Sequence, residues 1–223
     1  MKNNKLLVKT ILLMLLLSSI FQNNVNAQQV VDLTYWESTM DRVSSWAQSP
    51  SAYVLKLNNH GSFDLQNYFV HAKLQWIAAG VYSEQKQYLG TNANIVCYGG
   101  YLAELRARSG IFIESTDYGV TVTTSAIYNP NISFSYNGQT KYHYKLSKAT
   151  VCIVDRTCDE NQFLNTFTHE YGHALGWDGH SQSQYYYYNY TNPQNSIVNV
   201  MYAHPTGTTT LSPADKRHLI QFY

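Results

Sequence analysis

The chain has 223 residues, of which 44% are apolar and 13% charged, with a formal net charge of +1. That balance provides neither a basic stripe to neutralise phosphates nor a polybasic tail for anionic lipid, so neither nucleic acid nor a membrane is expected as a partner. The length suffices for one sizeable core but not for two ordinary domains, and a monomer is expected.

Lys2, Lys5 and Lys9 precede an apolar run from Ile11 to Phe21, and Val25-Asn26-Ala27 supplies the small residues of a cleavage site. Residues 1–27 therefore read as a secretory signal peptide. The run is short for a membrane-spanning helix, and the polar Gln22-Asn23-Asn24 follows it. A secreted, extracellular product cut after Ala27 is expected. In that compartment Cys97, Cys152 and Cys158 allow one disulfide and leave one thiol over. Cys152 with Cys158 closes the shortest loop, although three pairings are open.

Residues 28–50 read as an N-terminal extension. Trp36, Met40, Val43 and Trp46 or Ala47 recur at helical spacing before Ser49-Pro50, which suits a short helix or a detachable pro-segment. The main domain, 51–223, opens with a strand at Ala52–Leu57, closed by Asn58-Asn59-His60-Gly61. From Ser62, a candidate cap, the apolar positions Leu65, Phe69, Ala72, Trp76 and Ala79 predict a long amphipathic helix, with Gly80 as its stop.

Between residues 94 and 155 the pattern changes to short runs rich in Val, Ile, Thr and Tyr, at Gly119–Thr124, Ile132–Tyr136 and Ala149–Val154, which predict strands. A second helix begins near Asp159. It collects Phe163, Leu164, Phe167, Tyr171, Ala174 and Leu175 on one face and leaves His169 and His173 on the other. Ser212, Pro213 and Asp215 form a capping box for a terminal helix reaching about Tyr223. Twenty tyrosines are more hydroxyls than a core can satisfy, so many belong on the surface. The densest group, Tyr185 to Tyr188 and Tyr190, reads as a compositional loop or, alternatively, as an aromatic substrate platform.

The segment His169-Glu170-Tyr171-Gly172-His173 carries the chemistry. Histidines four apart on a helix leave from successive turns of one face, so both imidazoles can reach a single ion. Glu170 beside them can take a proton from a water attacking a peptide carbonyl and pass it to the leaving amine. A catalytic zinc usually takes three protein ligands and keeps a fourth position open. No glutamate follows Glu170, which excludes a third ligand of that type from a later helix and leaves Asp178, His180, His204, Asp215 and His218 as candidates. Gly176 can end the helix in a left-handed turn that folds the chain back toward the ion.

The run from His169 through Gly176 to His180 resembles the metzincin metalloendopeptidases, most closely their matrixin branch. The family's third histidine stands three residues after the glycine, where this chain has Gly179. His180, one residue later, is the expected third ligand, with Asp178 as the alternative. Ile197-Val-Asn-Val-Met201-Tyr202 is similar to the methionine turn beneath the metal histidines of these enzymes, which makes Met201 an apolar floor and not a ligand. Ala203 stands where a metal-binding tyrosine would, so none is expected.

The resemblance spans about residues 50–223 and implies an α+β metzincin-like catalytic domain. Its parts would be a twisted mixed sheet, a long helix, an active-site helix and a small C-terminal subdomain ending in a helix. It implies a secreted zinc-dependent endopeptidase with Glu170 as general base, one catalytic zinc, and a protein or peptide substrate. It further implies that a strand within 141–154 lines the cleft and that residues 202–210 wall the pocket beyond the scissile bond. The calcium and second zinc common in the branch find no acidic loop between residues 94 and 160, and a single histidine there, His143. The family's pro-segment cysteine is absent; Asp32 or Asp41 could take its place, with surface aspartates as the alternative. Because of the shifted spacing, a non-catalytic exported zinc-binding protein is the competing expectation.

Overall fold

A computed structural model describes residues 38, 40, 42–57, 63–86, 93–124, 127–136, 139–204, 206–221 and 223. The expected signal peptide, Asp32, Asp41 and the Ser62 cap lie outside these residues. The described residues belong to one compact unit.

The fold is α+β. Its main sheet holds β2 (Ser51–Lys56), β3 (Glu84–Gln85), β4 (Ile95–Gly100), β5 (Gly119–Thr124) and β8 (Lys148–Val154), in the order β3-β2-β4-β8-β5. Four strands run parallel and β5 runs antiparallel along one edge. β8, central and almost uniformly apolar, is buried on both faces, as an interior strand requires. Alternation along it sends Val151 and Ile153 to the larger core and Cys152 and Val154 to a smaller one.

The larger core lies between this sheet and two helices, α1 (Leu65–Ala78) and α3 (Glu160–Leu175). The heptad-like stripe of α1 buries Leu65, Phe69, Ala72 and Trp76 against Phe163, Phe167 and Tyr171 of α3. Phe69 meets Phe167 and Tyr171 edge to face at 6.0 and 5.5 Å, an arrangement worth up to ~1.5 kcal/mol per pair beyond area burial. Trp76 Nε1 donates to Thr168 O at 3.0 Å, so its one polar atom is satisfied inside the core. The expected stops are present, but the cap of α1 is Asp64 and not Ser62, because the helix begins at Leu65. Gly80 leaves α1 at φ +93°, and Asp159 with Gln162 forms the capping box of α3. Ser212 and Asp215 open the terminal helix α4 (Pro213–Ile220). A short helix, α2 (Leu102–Ser109), covers the smaller core.

A second, three-stranded sheet has the order β1-β7-β6, built from β1 (Val43–Trp46), β6 (Ile127–Tyr136) and β7 (Gln139–Leu146). Trp36 lies outside the described residues, and β1 corrects the helical reading over residues 43–46. Its residues pair in parallel with His143 to Leu146 and thread toward α3, so tertiary pairing overrides the local spacing. The cleft strand expected within 141–154 is corrected as well, because β7 and β8 each have both edges occupied. Of the two edge strands of the main sheet, β3 and β5, the one that runs antiparallel and lies against α3 is β5.

The expected Cys152–Cys158 bond does not form, and all three cysteines are free thiols. Cys152 faces the core under α2, whereas Cys158 packs against the opposite core, so the sheet separates them. Burial pushes both thiols up to about 11, which leaves them protonated at neutral pH. Among the tyrosines, Tyr68 and Tyr171 are buried while Tyr186, Tyr187, Tyr188 and Tyr190 are exposed, around a two-stranded ribbon of β9 (Tyr185–Tyr187) and β10 (Ile197–Val198). Among the described residues no helix is long and apolar enough to cross a membrane.

Candidate metal centre

α3 presents His169 and His173 one turn apart, and the chain leaves it at Gly176 with φ +116°. A second left-handed glycine, Gly179 at φ +72°, turns the chain back and delivers His180. The potential ligand atoms of the three histidines all lie within 4.8 Å of one another, and no other group of three acids, cysteines or histidines among the described residues could hold an ion. The ring centroids stand 4.7, 5.2 and 5.1 Å apart, a nearly equilateral triangle. Asp178, the alternative ligand, is engaged elsewhere: Ser44 Oγ donates to its Oδ2 at 2.5 Å and Arg42 Nε lies 3.4 Å from its Oδ1.

Backbone carbonyls set the imidazole tautomers. His169 Nδ1 lies 2.8 Å from Val200 O and His173 Nδ1 lies 2.7 Å from Trp177 O. A carbonyl only accepts, so each Nδ1 carries the hydrogen and each Nε2 is left with a bare lone pair, the arrangement a metal-binding imidazole needs. Those two Nε2 atoms face each other at 3.0 Å. Two lone pairs so close repel unless a cation is shared between them. Bonds of about 2.0–2.1 Å to a tetrahedral zinc put such nitrogens roughly 3.3 Å apart, so the donor set fits a metal ion. Desolvation lowers both groups to about 4, and His180 is lowered for the same reason, so all three are neutral donors at neutral pH.

Glu170, 8% exposed, follows His169 on the same turn of α3 and lies against β5. Burial raises its pKa, opposed by the neighbouring His173 imidazole and by Thr121, whose Oγ1 lies 2.8 Å from Oε2. β5 comes close here: a Cβ on Gly119 would lie 2.6 Å from Glu170 Cγ. Beside Glu170 and His169 opens a hollow of about 80 Å³, floored by Asn165 and Thr166 and closed by Tyr202 and Ala203. Asn165 Nδ2 donates to Thr208 O at 2.6 Å and thereby ties the far wall to α3. On the other side of the histidines a cleft of about 360 Å³ is bordered by Thr121, Thr123, Met40 and Arg42. The edge strand thus passes along both.

Met201 is fully buried, and a Cβ on Gly172 would come within 2.6 Å of its Sδ, so the thioether lies directly under the histidine-bearing turn. Asp215 fixes this floor. Its Oδ2 accepts from Val200 N at 2.8 Å and Ser212 N at 3.0 Å, and its Oδ1 from Met201 N at 3.2 Å. The sequence offered Asp215 as a cap and as a candidate ligand, and the structure commits its carboxylate to the cap and the Val200–Met201 backbone; Thr121, Asn165 and the Ser44–Arg42 pair carried no sequence signal. A strand threonine has no local signature for the carboxylate it will meet.

Among known proteins the chain matches no family model and no curated protein.

Proposed function

We propose that the chain is a zinc-dependent endopeptidase of metzincin type, akin to the matrixin branch, acting on protein or peptide substrates outside the cell. The observation that carries this reading is the triangle formed by His169, His173 and His180 with the buried Glu170 between the two helical histidines. Supporting it are the order of elements (long helix, mixed sheet, active-site helix, terminal helix) and Met201 beneath the histidines. The signal-peptide pattern of residues 1–27 supports export.

Zinc held by the three imidazoles would supply a Lewis acid and a water of lowered pKa. The chain's own groups do the rest. β5 offers a free antiparallel edge to which an extended peptide can add as a strand, fixing the scissile bond by backbone hydrogen bonds. The hollow lined by Asn165, Thr166 and Ala203 receives the side chain that follows the scissile bond. Glu170, with its Oε2 held by Thr121, takes the proton of the attacking water and delivers it to the leaving amine. Its raised pKa brings it closer to the working pH, which favours both halves of that transfer.

The test is chelator-sensitive cleavage of casein or gelatin by the secreted chain. Glu170→Ala is expected to lower the rate by about 10²–10⁴-fold while metal uptake persists. Unchanged metal-dependent cleavage by that variant refutes the assignment.

A further inference from the structure

We propose that residues 38–46 form a strap that positions the third metal ligand, His180, and that Asp178 is its anchor. The inference rests on the metal site just described but does not depend on peptidase activity.

Between His173 and His180 the chain turns at Gly176 and Gly179, both left-handed. Two such glycines leave a loop free to follow other paths, so its course must be imposed from outside. The strap passes close enough to impose it. A Cβ on Gly176 would stand 2.1 Å from Ser44 O, and one on Gly179 would stand 2.3 Å from Met40 Cγ and 2.9 Å from Met40 N, so the strap presses on the first turn with its backbone and on the second with both the side chain and the backbone of Met40. Trp46 Nε1 donates to Ala174 O at 2.9 Å, closing the last turn of α3.

The polar contacts then bracket His180. Before it, Ser44 and Arg42 hold the Asp178 carboxylate, and Ser38 Oγ donates to the Asp178 carbonyl. After it, Ser38 pairs with Ser181, and Gln182 Nε2 donates to Ser38 O at 2.9 Å. Asp178 is only 8% exposed, so its carboxylate depends on these donors. Removing them leaves a buried acceptor unanswered and frees the turn to rearrange. Asp178 is therefore a positioning residue and not a ligand, and the residues that hold it, Ser38, Arg42 and Ser44, cannot be lost without consequence for the metal.

The experiment measures Co(II) affinity by chelator competition, with the cobalt absorption spectrum as a second readout, in the full secreted chain. Asp178→Ala is expected to weaken binding by about 10–100-fold, the range for groups that orient a ligand. Asp178→Asn, which keeps an acceptor for Ser44, is expected to lose less. In a His180→Ala background the same Asp178→Ala change is expected to shift affinity by less than about twofold, because the ligand through which it acts is gone. If Asp178→Ala shows no cooperative melt, Ser44→Ala, which removes a single hydrogen bond, decides the matter in the same cycle. Wild-type affinity and spectrum in the folded variants overturn the proposal, as does an equal loss with and without His180. A wild-type chain that takes up no cobalt overturns the metal-site reading and the strap with it, so the two failures are distinguishable.

Discussion

α3 and the loop that follows it deliver the same imidazole donor by opposite means. His169 and His173 are placed by helical geometry alone, and their tautomers are set by Val200 O and Trp177 O. His180 is placed by contacts with a strand far away in the chain; Ser44 and Asp178 are 134 residues apart. A local device is rigid wherever the helix forms, whereas a long-range one is only as good as the packing around it. The helical pair is thus a preformed pair of donors, and His180 completes the triangle conditionally.

Removing one ligand from each half should expose the difference, and it is the largest effect expected. His173→Ala leaves one helical and one loop imidazole, whereas His180→Ala leaves the preformed pair. Metal affinity, measured by chelator competition, is expected to fall in His173→Ala beyond the about 10–100-fold of an outer-shell change, and to fall less in His180→Ala. Equal losses would break the comparison.

The loop's dependence on outside packing can be measured without metal. Gly110 and Gly176 both end helices in left-handed geometry, at φ +69° and +116°. A Cβ on Gly110 meets nothing within 4 Å, whereas on Gly176 it meets Ser44 O. Gly110→Ala is expected to cost about 1–2 kcal/mol from the left-handed backbone. Gly176→Ala adds overpacking against a strand, for about 2–5 kcal/mol in total. Urea unfolding of the metal-free chain gives both numbers. Similar costs would show that β1 does not press on the turn.

What could be read in the sequence follows the same division. Periodicity found α1 and α3 and a capping box found α4, because a helix writes its own spacing and ends into a short run of consecutive residues, although the cap of α1 fell at Asp64 and not at Ser62. The glycine after His173 pointed to a left-handed exit, and His180 could be ranked above Asp178 from the freedom of Gly179. Strand partners could not be read. The apolar run of 149–154 marked β8 as a strand without saying that both its edges are filled, and β5, weaker in pattern, became an open edge. Residues 43–46 looked helical because Met40, Val43 and Trp46 are spaced three apart, yet pairing with β7 decided their state. Asp215 shows the limit most sharply. Its role as a cap lies three residues from Ser212, while its hold on Val200 and Met201 exists only once the chain has folded.

The smallest expected effect concerns Thr121, the one side chain by which the edge strand reaches Glu170. Its hydroxyl donates toward the carboxylate, favours the ionised form, and so lowers a pKa that burial raises. Thr121→Val keeps the shape and removes the donor, so the Glu170 pKa rises further. A general base must be ionised to accept a proton, and the acid limb of kcat/KM therefore moves to higher pH. The loss is greatest below that limb and shrinks toward a constant factor above it, where only the lost orientation of Oε2 remains. Thr121→Ser, which restores the hydroxyl, should return the limb to its original place. The pH profile of cleavage of a casein-derived peptide reads both variants. An acid limb unmoved in Thr121→Val would mean that β5 contributes backbone and shape to the cleft but leaves the base to α3 alone.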